Sequence, residues 1–152
     1  MEFFANLHPL VVHFPVAFFI LYFLFETAGI ILGKDFLLKS AFIVLTLGVV
    51  FAVCAVLTGN QALAAAKIIH GKDFALNQLI ETHEQYATIT LWYFFAVLIF
   101  RTYIVIKKKF NTGIKFLFIV LGLIGCYLIY ETGTHGGNLV FQNGVGTQLF
   151  GK

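Results

Sequence analysis

Charge is what this sequence has least of. Of 152 residues only 11% are Asp, Glu, Lys or Arg, against 60% hydrophobic, and the mean hydropathy is +0.93. Soluble domains carry about a quarter charged residues, so a water-exposed globule is excluded and a membrane-embedded chain remains. The formal charge of +3 is small, and no basic helix with interleaved aromatics occurs, which excludes nucleic acid as a partner. Cysteine is scarce too. Cys54 and Cys126 lie inside apolar runs with no CxxC or CxxCH around them. Covalent c-type haem is thereby excluded, and the pair reads as small packing residues in preference to a disulfide framework. No HExxH or HxxxH spacing exists to set two metal ligands on one helix face. The opening Met1-Glu2-Phe3-Phe4 has no basic n-region and no A-x-A site follows, so the first helix reads as retained.

Proline is equally scarce, and both copies fall in one stretch, Leu7-His8-Pro9-Leu10-Val11-Val12-His13-Phe14-Pro15. Two prolines are tolerable there only near a helix start, where the first amide hydrogens lack partners. Two imidazoles at the mouth of an apolar run cost free energy unless something engages them. The stretch therefore reads as a helix start built to hold a ligand.

Phenylalanine is abundant (19 residues), as suits lipid-facing and bundle-packing surfaces. Four apolar runs follow, over 10–32, 42–66, 86–106 and 114–130. Each is near the ~20 residues that cross a bilayer, the last being shortest. The separators are Gly33-Lys34-Asp35, a polar stretch over 67–85, and Lys107-Lys108-Lys109 through Asn111-Thr112-Gly113. Such connections predict an all-α integral membrane protein, a four-helix up-down-up-down bundle in a single domain over 1–152. Residues 131–152, rich in glycine with Leu139, Val140, Phe141, Leu149 and Phe150 among them, read as a short C-terminal interfacial cap. No internal repeat is evident.

Lys34, Lys39, Arg101, Lys107, Lys108, Lys109 and Lys115 flank the connections on one side; Lys67, Lys72 and Lys152 lie on the other. The positive-inside rule puts the richer side in the cytoplasm of a bacterial inner membrane, with both termini periplasmic. His8, His13, His70, His83 and His135 then all lie on the outer side. Counted from the basic anchors at ~1.5 Å per residue, His13 and His135 are roughly 30 Å up, His83 and His8 higher at roughly 36 and 39 Å.

Neutral imidazole ligates haem iron, zinc, copper and non-haem iron. A b-type haem between helices needs one histidine from each at matching height. It also needs room, which Gly48, Ala52, Ala55 and Gly59, and Gly133, Gly136 and Gly137 beside His135, provide. Phe14, Tyr86 and Phe141 offer apolar walls for a macrocycle. A metal-ion site fits less well, because three or four histidines do not share one height. His8, His13, His83 and His135 are thus the candidate haem-iron ligands, while His70 reads as solvated. Glu131, four residues before His135, reads either as its orienting partner or as a solvated interfacial charge. Glu26, inside the first apolar run, reads as a hydrogen-bonded or snorkelling carboxylate near the inner interface, with a quinone or proton route the alternative. Glu81 and Glu84 read as surface charges.

With those residues in view, the chain resembles the bacterial membrane family catalogued as domain of unknown function 2231. The resemblance is carried by His8-Pro9-Leu10-Val11-Val12-His13-Phe14-Pro15, by Thr58-Gly59, by His83, and by the run from Gly136-Gly137-Asn138-Leu139-Val140-Phe141 to Gly144-Val145-Gly146. Many members have histidine where this chain has Asn143, so a ligand there is excluded here. The Thr132-Gly133-Thr134-His135-Gly136-Gly137 arrangement resembles members fused to cytochrome c modules, which implies a haem-binding electron-transfer role.

The expectation is a membrane electron-transfer cytochrome of b type. It would carry two haems, one on His13 and His135 and one on His8 and His83, with a single haem the lesser case. No catalytic nucleophile is recognisable; the chain reads as an electron-transfer subunit rather than a stand-alone enzyme. Expected partners are the lipid bilayer, other membrane redox subunits, a c-type cytochrome and quinol. The alternatives are a non-haem structural or accessory membrane subunit, and a metal-ion transport or sensing protein.

Overall fold

A computed structural model describes residues 2–70 and 74–144, with side chains over 7–64 and 74–144. Lys72, Lys152, the side chains of Lys67 and His70, and the cap residues Val145, Gly146, Leu149 and Phe150 lie outside what is described. The chain forms α1 (Glu2–Val11), α2 (His13–Leu32), α3 (Asp35–His70), α4 (Phe74–Ile106) and α5 (Thr112–Phe141). Four stretches are long and apolar enough to cross a membrane: Leu7–Leu32, Asp35–Ala64, Phe74–Ile106 and Thr112–Phe141. Helices α2, α3, α4 and α5 pack as a closed ring in chain order, and α1 lies against α3. Leu24, Ile43, Leu57, Trp92, Ile99 and Leu123 point outward, a surface suited to lipid. One end of the bundle carries the described histidines; the other carries the connections with Lys34 and Lys107–Lys109.

The break at Val12 has a local cause. Pro15 has no N–H to give the carbonyl of Val11, so the hydrogen-bond ladder skips a step there. Val12 nevertheless stays helical in dihedrals (φ −63, ψ −24) and its N–H reaches the His8 carbonyl at 3.1 Å. The first span is therefore continuous across Val12. At the lysine end, Gly33 closes α2 at φ 62, in the left-handed region, where a side chain is strained. The Asn111 side chain caps α5 by accepting from the Ile114 N–H at 3.0 Å.

The helices run well past their apolar cores. The polar stretch over 67–85 is largely helix, because α3 continues to His70 and α4 begins at Phe74. The expected span 114–130 is extended in the same way, because α5 continues through 131–141, the first part of the expected cap. Its glycines do not end the helix, since interhelical packing and the unbroken i→i−4 ladder sustain it where lipid or neighbouring helices cover the backbone.

The sequence reads as free of repeats, yet the structure is built from one. The buried residues of α2 are Pro15, Phe19, Tyr22, Glu26 and Gly29. Each lies 75 positions before a buried residue of α4, namely Thr90, Phe94, Val97, Arg101 and Ile104. Helices α3 and α5 correspond at a spacing of 77, through Ala41 and Phe118, Leu45 and Gly122, Gly48 and Gly125, Ala52 and Ile129, and Gly59 and Gly136. The contacts repeat as well. A Cβ on Gly48 would lie 2.6 Å from the Phe19 ring, and one on Gly125 would lie 2.5 Å from the Phe94 ring. Two α-hairpins that start at the same end are thus related by an approximate two-fold axis along the bundle, the parallel kind of internal repeat.

Counterparts meet on that axis. Phe19 and Phe94 stack with centroids 3.7 Å apart and planes 3° from parallel. Toward the lysine end, Arg101 Nη2 donates to Glu26 Oε2 at 3.3 Å, with 4% and 1% of those side chains exposed. Arg101 is therefore not one of the surface charges of that end. Its guanidinium also lies over the rings of Phe110 (4.2 Å) and Phe118 (5.1 Å), a favourable face-on placement. The lysines alone leave the same imbalance between the two ends. Where size differs between the hairpins it is exchanged: Phe23 fills the notch at Gly122, and the corresponding core positions are Leu98 and Leu45.

Two outcomes follow for unfolding in detergent followed by circular dichroism. Gly48→Ala and Gly125→Ala should each lose about 1–3 kcal/mol by overpacking. Gly133→Ala, whose new Cβ meets nothing within 4 Å, should gain about 0.5–1 kcal/mol. Because Glu26 and Arg101 occupy two-fold-related positions, E26R and R101E should each cost about 3–5 kcal/mol, and the double exchange should recover most of that loss.

Candidate functional site

Histidine chemistry is concentrated at the end of the bundle opposite the lysines. His8 on α1 and His83 on α4 are counterparts at the 75-residue spacing, and the structure gives them matching surroundings. The Nδ1 atom of His8 is 3.2 Å from Thr58 Oγ1, and its imidazole also bonds the Ala55 carbonyl. The Nδ1 atom of His83 is 3.2 Å from the carbonyl of Thr132, which is the counterpart of Ala55 at 77. A Cβ on Gly59 would lie 3.0 Å from His8 Cε1, and one on Gly136 would lie 3.0 Å from His83 Cε1. Both rings therefore lie close against bare backbone, where a Cβ would force the imidazole to give by a few tenths of an ångström. The two imidazoles are within electrostatic range of each other.

The protonation pattern follows from the partners. A carbonyl only accepts, so His83 Nδ1 must donate to Thr132. Thr58 Oγ1 donates to the carbonyls of Cys54 and Ala55, each at 3.0 Å, and so accepts from His8 Nδ1. In each ring the proton is held on Nδ1. With Nδ1 as the donor, Nε2 keeps its lone pair. This is the arrangement that metal-bound imidazoles adopt, with a backbone or hydroxyl group fixing the far nitrogen.

The other two candidate histidines are placed differently. His13 is exposed and lies two residues from buried Pro15, so it points away from the core face of α2. It makes no hydrogen bond, ion pair or ring contact among the described residues. Its counterpart in α4 is Thr88 and that of His135 is Thr58, so these two histidines are not two-fold partners. His135 is half-buried and turned toward α4. Its ring stacks on Tyr86 (centroids 4.7 Å, 20°), and its Nε2 lies 3.8 Å from Glu131 Oε2. It is within electrostatic range of His83. Of the two readings of Glu131, the contact fits that of a partner to His135. His135 also lines an open cleft of ≈ 360 Å³ with Ala75, Gln78, Leu79 and Thr82. The structure thus gathers His8, His83 and His135, and leaves His13 apart.

Among the described residues no group of three His, Cys, Asp or Glu side chains is placed to hold a metal ion. Cys54 and Cys126 are free thiols. A threonine pair knits α4 to α5 just below His83: Thr90 and Thr132 hydroxyls are 2.9 Å apart, and each also bonds the carbonyl four residues back. Sequence reasoning did not single out Thr132 or Thr90. The available signal was the 75-residue spacing of His8 and His83, which points to their counterpart helices.

No curated protein and no solved structure matches the chain. The family model described as "Predicted membrane protein (DUF2231)" matches residues 5–149, a span that includes both hairpins and all five histidines. The chain belongs to that family of membrane proteins.

Proposed function

We propose that the protein is a b-type haem-binding electron-transfer protein of a bacterial inner membrane, with both termini periplasmic and one haem held between His8 and His83. The observation that carries this reading is the two-fold pair of imidazoles. Each has Nδ1 engaged and Nε2 available, and each is backed by a glycine. Chance placement of two histidines does not produce matched tautomers and matched glycines. Bis-imidazole ligation uses the free Nε2 of each ring while a partner holds Nδ1.

The residues fit the group. Two neutral nitrogen donors of equal environment suit a low-spin iron with two imidazole ligands. The Thr132 carbonyl and the Thr58 hydroxyl hold each ring in one tautomer and orientation. A bound haem would supply a one-electron carrier near the periplasmic face. The surrounding chain keeps that site in the apolar bundle and restricts exchange to partners that dock at this end or within the bilayer. A quinol or membrane redox subunit and a periplasmic c-type cytochrome are the partners such a placement serves. The lysine-rich connections support the orientation through the positive-inside rule. His13 and His135 have no matching argument for a second haem, and one haem per chain is the stoichiometry proposed.

The first test needs no cofactor. In ¹⁵N-labelled protein without haem, His8 and His83 should both show protonated Nδ1 and unprotonated Nε2, and Thr58→Val should disturb the tautomer of His8 alone. The second is the reduced-minus-oxidised absorption spectrum of a haem-replete preparation, which should show a low-spin b haem at one per chain. His8→Ala and His83→Ala should each abolish the same signal, whereas His13→Ala should leave it. A haem-free spectrum would leave a structural or accessory subunit. Two distinct haems, one lost with His13, would restore the second pair.

A further inference from the structure

The polar layer at the opposite end has atoms left over. Glu26 uses Oε2 for Arg101, yet its Oε1 is buried without a hydrogen-bond partner. Arg101 Nε is in the same condition, and so is the hydroxyl of Tyr22, one turn before Glu26 on the same face of α2. Tyr22 is 1% exposed, Glu26 1% and Arg101 3%, and the three groups are within electrostatic range of one another. Leaving each such atom unpaired costs its desolvation penalty in full. An ion pair alone does not account for the site, because it satisfies only one oxygen and one nitrogen.

We propose that Tyr22, Glu26 and Arg101 enclose an ordered water molecule, and that this water connects Glu26 to solvent at the lysine end past the ring of Phe110. The valences match a water molecule: Arg101 Nε–H and the Tyr22 hydroxyl each donate to it, and it donates to Glu26 Oε1. A buried water with three hydrogen bonds is the ordinary case. A hydrophobic ligand would leave all three groups unsatisfied, and an anion would face the Glu26 carboxylate.

The route has a visible closure. Phe110 belongs to the connection after α4, and its ring covers the Arg101 guanidinium at 4.2 Å. The Lys115 ammonium lies over the same ring at 5.7 Å, so a charged group of the lysine end stands against Phe110. Phe118, the second ring against the guanidinium, is fully buried and belongs to the core rather than to the route. The site stands at the other end of the bundle from His8 and His83 and does not rest on the haem reading.

The chain helps the test, because Arg101 is its only arginine. In protein labelled with ¹⁵N-arginine and held in lipid nanodiscs, a single Nε–H resonance reports the site. A cross-peak between that proton and water with the sign of a long-lived contact is expected; absence of such contact overturns the proposal. Phe110→Ala should speed solvent exchange of the same proton about tenfold or more by removing local protection, and Phe110→Leu should speed it less. Unchanged exchange in both variants overturns the route. Tyr22→Phe removes one donor and should weaken the water contact while the Arg101 resonance keeps its position; an unaltered contact removes Tyr22 from the site.

Discussion

Two phenylalanine rings, Phe19 and Phe94, lie face to face on the bundle axis, and the remaining side chains are arranged around that contact. A near-parallel stack this close is not the geometry that isolated rings prefer, so something must hold it. The holders are Gly48 and Gly125, each of which gives its ring the space that a single methyl group would take. In lipid there is no hydrophobic drive to bring helices together, and close packing at small residues does that work. Once the stack is set, α2 and α4 face each other at fixed height, and every other level is paired by the same spacing. His8 and His83 stand at one end, Glu26 and Arg101 at the other.

Much of this architecture is legible in the residues. The apolar runs, the short connections and the poverty of charge give four spanning helices, and Gly33 and Asn111 mark two of the ends that the structure shows. Helix lengths are not legible in the same way. Hydropathy reports where lipid begins, whereas the helix continues for as long as its backbone ladder and neighbours sustain it, as α5 does through Gly133 and Gly136. Arg101 illustrates a second limit. Read along the chain it sits near the lysines of a connection; only the fold shows Glu26 across the axis to receive it.

The repeat escaped the sequence for a related reason. Of the five buried pairs on α2 and α4, only Phe19 and Phe94 keep the same residue, and on the preceding segment His8 and His83 do. Elsewhere proline faces threonine, tyrosine faces valine and glycine faces isoleucine. What the hairpins share is which positions are buried, and a comparison of letters does not detect burial. The candidate histidines were found by residue type, but type alone could not rank them. Depth counted along straight helices grouped His13 with His135, whereas the exposure of His13 and the stacking of His135 on Tyr86 separate them in the fold. The matched pair of tautomers singles out His8 and His83.

The opposite charges of Glu26 and Arg101 bear on how the hairpins choose each other. Two copies of the first hairpin, joined across the same axis, would set carboxylate against carboxylate in a buried layer of low dielectric. Two copies of the second would set guanidinium against guanidinium. Either association carries an uncompensated like-charge pair at its centre, while the pairing of unlike halves neutralises both. A crowded membrane offers each newly inserted hairpin many copies of itself, and the stack of phenylalanines and the glycine notches would accept any of them. A single difference of sign at one level of the axis is enough to make each chain close upon itself.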